Sequence, residues 1–155
     1  LALDAATYLW EQEINILYSN FYEETLKNLN GKDKLNTVLN VFIDIYLNYP
    51  ETMSFLENFD NYIIKENISQ EQLENYEKSI IDTKSIICSA LNEGKKDGSI
   101  NKDLNNDLFY ITITHSLMSL SQKLILRGSI LKSDKQISGD KQIKLLIDMA
   151  MNYIK

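Results

Sequence analysis

The chain has 155 residues, 44% of them hydrophobic and 25% charged, with one Pro, five Gly, one Cys and one His. That length suits a single domain, and so few chain breakers argue against a many-turned β-sandwich or barrel and for long helices. One Cys excludes an internal disulfide framework, one His excludes His-rich metal clusters, and a net charge of −6 is poor footing for duplex nucleic acid, which is gripped by clustered cations.

The pattern reads as six helical segments. The first is expected over 4–28, where Trp10, Ile14, Leu17 and Phe21 recur on one stripe and Asn30-Gly31 ends it. The second is expected to start at Asp33 as N-cap and to carry Leu35, Val38, Phe42, Ile45 and Tyr46. It stops at Tyr49, because Pro50 disfavours the α conformation in the residue before it, and Pro50 opens the third, with Met53, Leu56, Phe59 and Ile63 on one face. Ser69-Gln70-Glu71-Gln72 is a capping box that starts the fourth, striped by Leu73, Tyr76, Ile80, Ile87 and Leu91 and expected to end at Gly94.

The fifth helix is expected from Asn106 or Asp107 to Arg127. Leu108, Ile111, Thr112, His115 and Met118 look one way, and Phe109, Ile113, Leu117, Leu120 and Leu124 another. A helix apolar on two sides is covered on two sides, so this one is expected to pack on its own domain and on something else. A polar connection over 129–139, with room for an extra helical turn, leads to Asp140 and a last helix with a wide apolar face that includes Leu146, Met149 and Tyr153. The longest mostly apolar stretch, Leu108–Leu126, is broken by polar residues and too mixed to span a bilayer, and no basic leader precedes an apolar run. A cytoplasmic protein with no membrane partner is expected.

Catalytic constellations are missing. His115 has Thr112 and Ile111 at i−3 and i−4, so no Glu-x-x-His pair exists, and the only His available to Cys88 as a base is His115 itself. No phosphate-binding glycine loop or nucleophile elbow occurs. No enzyme activity, metal or cofactor is therefore expected. Aromatics are more informative. Trp10, Phe42, Tyr46, Phe59 and Tyr76 fall on inward stripes, where they form either ordinary core or the lining of a pocket between helices.

The run Ile87-Cys88-Ser89-Ala90-Leu91-Asn92-Glu93-Gly94-Lys95-Lys96-Asp97-Gly98-Ser99-Ile100, followed by Asp107, resembles the C-terminal regulatory domain of the TetR family of transcriptional regulators. Its "leucine, polar, glutamate, glycine" ending carries the likeness, as does the helix break at Asn48-Tyr49-Pro50-Glu51. The resemblance implies an all-α multi-helix bundle over 1–155 that dimerises with itself through its last two long helices. It implies a pocket for a small apolar or aromatic effector, placed near Trp10, Phe42, Tyr46, Phe59, Tyr76, Thr112, His115 and Met118. It implies a dimer interface at Leu117, Leu120, Leu124, Leu146, Met149 and Tyr153. The family's helix-turn-helix is not among these residues, and Ala5-Ala6-Thr7-Tyr8-Leu9 stands where its usual junction sequence would be, so DNA is expected as a partner only through a domain outside this chain. The alternative is a free-standing helical protein-interaction module, whose last two helices serve a foreign partner.

Overall fold

In the computed structural model, which describes residues 1–15 and 25–155, all regular structure is helical, as an all-α bundle requires. The elements are α1 (Ala2–Leu9) running into a π turn (Trp10–Ile14), α2 (Gly31–Asn48), α3 (Pro50–Glu66), α4 (Gln70–Asp97), α5 (Asn106–Arg127), a 3-10 turn (Ser133–Gln136) and α6 (Gly139–Tyr153). Leu17 and Phe21 of the first stripe lie outside the described residues. Among the described residues, no helix is long and apolar enough to cross a membrane.

Most helix boundaries follow from local chemistry. Tyr49 sits in a non-helical conformation, and Pro50 takes the first position of α3. Ser69 closes the capping box, its hydroxyl accepting from Gln72 N–H at 3.3 Å and its own N–H donating to Gln72 Oε1 at 3.1 Å. The connection between α5 and α6 does hold one extra helical turn.

Three boundaries differ from expectation. The cap of α2 is Asn30, not Asp33: Asn30 Oδ1 accepts from Asp33 N–H at 2.9 Å, and Gly31 lies in the first turn rather than ending the helix before it. The fourth helix runs past Gly94 to Asp97 and stops at Gly98, whose φ of 81° is the left-handed conformation of a helix-ending glycine. The last helix is expected to be capped by Asp140, but its N-cap is Ser138 and it starts at Gly139.

Gly94 has a different use. A Cβ added to Gly31 would stand 1.9 Å from Gly94 N, so the start of α2 crosses the end of α4 backbone on backbone. The same joint is tied by polar groups. Asp97 accepts from the N–H of Gly31 at 2.7 Å and of Ser99 at 2.8 Å, and Ser99 Oγ accepts from Lys32 N–H at 3.1 Å. These bonds satisfy donors that the first turn of α2 would otherwise leave open. They also hold the Asp97 carboxyl below its ordinary pKa, through Ser99 first and Gly31 next.

The core lies between α2, α3, α4, α5 and α6. Leu35, Leu39, Met53, Ile87, Leu91, Leu117, Ile143 and Ile147 are fully buried in it. Because α2 packs on α4 and α6 together, it is the central rod of the bundle.

Candidate functional site

Two regions bring the expected site residues together. The first is an aromatic cluster where the first helix meets α3 and α4. Trp10 Nε1 donates to the Tyr76 hydroxyl at 3.2 Å. The Tyr76 ring meets Phe59 edge-on at 4.9 Å, and Phe59 stacks with Phe55 and Tyr62 at 6.1 and 6.4 Å. Edge-to-face pairing suits the aromatic quadrupole and fixes ring orientation. Burial raises the Tyr76 pKa, opposed by the Trp10 hydrogen bond and reinforced by the charge of Asp60. Asp60 is itself raised, by desolvation and then by Glu57.

The π turn explains how one helix makes this contact twice. In an α-helix, residues five apart differ by about 140° in direction. A π turn closes i to i+5, and here Asn15 N–H bonds to Trp10 O. Trp10 and Asn15 therefore both reach α4. Asn15 Nδ2 donates to Ser79 O at 3.0 Å, and its Oδ1 accepts from the Thr83 hydroxyl at 3.3 Å. Thr83 is buried, so the bond from its hydroxyl pairs a donor that would otherwise be dry, while the Ser79 hydroxyl is already spent on Tyr76 O at 2.6 Å.

The second region is the outer face of α5 and α6. Leu108, Ile111, Leu145, Met149 and Tyr153 stand exposed there, Met149 at 60% and Tyr153 at 70%. Between the helices runs a cleft of about 340 Å³, lined by Leu108, Phe109, Thr112, Ile113, Ser116, Leu146, Ala150 and Tyr153, with Asn105 at its end. Leu146 also borders a second cleft, of about 490 Å³, shared with Leu120, Ile137, Leu145 and Met149 and walled by the 3-10 turn. The Tyr153 ring stacks on Phe109 at 6.5 Å, and both rings line the first cleft.

The sequence-expected positions divide accordingly. Trp10, Phe59 and Tyr76 meet. Phe42 is buried in the shared core, and Met118 is half-buried against it. Tyr46 goes elsewhere: its hydroxyl lies where a Cβ on Gly139 would stand, so it rests on the start of α6. Thr112 and His115 are exposed on α5 and face away from the core, and Thr112 lines the outer cleft. Of the expected interface residues, Met149 and Tyr153 are exposed, and Leu120, Leu124 and Leu146 are half-buried. Leu117 is fully buried within the chain and is a core residue, because Phe109, Ile113, Leu117 and Ser121 recur every four residues on the inward line of α5.

The two faces of α5 are thus divided as expected; the Thr112 and His115 side looks outward and the Leu117 side inward. Leu108 and Ile111, expected on the same side as Thr112 and His115, are exposed with them, whereas Phe109, Ile113 and Leu117 point inward. The missed exposed residues are Leu108, Ile111 and Leu145. The signal that could have found them is the i, i+4 line of Phe109, Ile113 and Leu117, which has no charged residue along it.

Other reactive groups are quiet. Burial raises the Cys88 thiol pKa, the reverse of what activates a nucleophile; Lys84 pulls it down and Asp107 up by less. Among the described residues, no group of His, Cys, Asp and Glu side chains is placed to hold a metal ion. Comparison with protein-family models, curated proteins and solved structures finds no match to this chain.

Proposed function

We propose that this chain is the effector-sensing and dimerising domain of a TetR-like transcriptional regulator. The observation that carries the reading is the apolar outer face of α5 and α6, where Leu108, Ile111, Leu145, Met149 and Tyr153 stand exposed beside two clefts that meet at Leu146. Contiguous exposed apolar surface of this kind marks an association site. Two long helices per chain are suited to a four-helix interface with the same patch on both subunits.

The sensing part of the reading rests on the aromatic cluster. A small apolar or aromatic effector beside Trp10, Phe59 and Tyr76 would touch the first helix and α4 together. That helix is pinned to α4 at Trp10 and again at Asn15. An effector that fits one placement of the first helix better than another shifts the population toward it. Contact with DNA is assigned to a separate helix-turn-helix attached ahead of α1, not to these residues.

The test is a small-molecule thermal-shift screen on this chain, with native mass measured in the same buffer. A ligand that binds only the folded state raises the melting temperature, and apolar or aromatic compounds are expected among the hits. A dimer with no stabilising compound would support an interaction module instead.

A further inference from the structure

Two neighbouring polar side chains in the second half of α5 are buried and unpaired. Among the described residues, Ser121 Oγ and Gln122 Nε2 find no hydrogen-bond partner, although the residues are 0% and 5% exposed. The same helix shows that a hydroxyl need not be left so. Thr114 and Ser116 return theirs to the carbonyls of Tyr110 and Thr112 at 2.8 and 2.7 Å. An unpaired buried donor carries its full desolvation penalty, and an apolar residue of the same size would avoid it.

Their level in the bundle follows from the α4–α5 hairpin. Near its tip Asn106 Nδ2 donates to Asn92 Oδ1 at 2.8 Å, and farther along Lys84 lies over the Tyr110 ring at 5.7 Å. Stepping equally along both antiparallel helices from the first pair brings Tyr76 level with Gln122; stepping from the second brings it level with Met118. The first register puts Gln122 at the height of the Trp10–Tyr76 hydrogen bond, and the second puts it about one helical turn beyond.

We propose that Gln122 and Ser121 are the polar reading head of the effector site, in the place that sequence reading gave to Thr112 and His115. This rests on the sensing function proposed above and names the ligand class: an uncharged molecule with an apolar body and a carbonyl-type oxygen. Gln122 Nε2 can only donate, and the Ser121 hydroxyl can turn to donate, so the complement is an acceptor with two lone pairs. The buried polar residues, Thr52, Ser79, Thr83, Ser121 and Gln122, include no cation, and an anion would be buried without a counter-charge.

The experiment uses this chain and two compounds of one shape, acetophenone and α-methylstyrene, which differ in a carbonyl oxygen against a methylene. Titration calorimetry is expected to show acetophenone binding about tenfold tighter, the worth of one buried hydrogen bond. The preference is expected to vanish in Gln122→Met and to shrink in Ser121→Ala. Without ligand, Gln122→Met is expected to melt at the same or a higher temperature. Equal binding of the two compounds, or a preference that survives in Gln122→Met, would overturn the assignment and leave the sensing reading standing. A lower melting temperature in unliganded Gln122→Met would overturn it too, because the amide would then be a structural partner. Binding of neither compound up to its solubility would count against the sensing reading and take this assignment with it.

Discussion

Trp10 donates its indole N–H to the Tyr76 hydroxyl across 66 positions of sequence, tying the first helix to α4 inside an aromatic cluster. Removing the acceptor in Tyr76→Phe leaves a nearly buried donor without a partner. The expected loss is about 1–2 kcal/mol in urea denaturation. Trp10 is the only tryptophan in the chain, so its emission reports this site alone and is expected to change in the variant.

The glycine crossing makes a sharper contrast. Gly31→Ala places a Cβ against the backbone of Gly94, which has no flexible end to give way. It is expected to cost about 3 kcal/mol, the upper end for overpacking. Gly98→Ala meets nothing within 4 Å, and its φ of 81° is the only obstacle. It is expected to cost about 1–2 kcal/mol, the price of the left-handed conformation. Parallel chemical denaturation of the two variants checks both magnitudes and their order.

Two carboxylates are expected to give opposite pH signatures. The Asp97 pKa is lowered in the fold, so its contribution is present above the unfolded carboxylate range and is lost as pH falls through its folded value. Asp97→Asn is expected to lower stability at neutral pH and to flatten the acid limb of the stability curve. The Asp60 pKa is raised, so its ionisation opposes folding as pH climbs through the carboxylate range. Asp60→Asn is expected to stabilise the chain at neutral pH and to change nothing in strong acid. Stability measured against pH for both variants decides the signs.

On the last two helices, the inward and outward positions are expected to respond differently. Leu117→Ala opens a hole in the core and is expected to cost about 2–5 kcal/mol, whatever the oligomeric state. Met149→Glu and Tyr153→Glu place charge on exposed positions. They are expected to preserve the helical circular-dichroism spectrum and to abolish self-association.

The parts of the fold that were legible in sequence are those with local causes. Pro50 stops α2 and starts α3, and Ser69 with Gln72 starts α4, because each acts within one turn. The extension of α4 past Gly94 was not legible. Gly94 answers to Gly31 across the bundle, a demand that no neighbouring residue records. The π turn was hidden for the same reason: Trp10 and Ile14 fit an ordinary helical stripe, and only the bonds of Asn15 to Ser79 and Thr83 pull the fifth residue round. At the candidate site, aromatic stripes found Trp10, Phe59 and Tyr76. The two faces of α5 were separable, but which of them looks inward was not legible, since a helix apolar all round carries little directional signal. Gln122 was missed because nothing in a sequence distinguishes a buried, unpaired amide from a solvated one.

The central claim is that the outer face of α5 and α6 joins two copies of this chain. Sedimentation velocity at micromolar concentration tests it most directly. The account predicts a species of twice the 17.9 kDa chain mass, reduced to 17.9 kDa by Met149→Glu with the helical spectrum intact. A wild-type chain that sediments at 17.9 kDa throughout the micromolar range would contradict it.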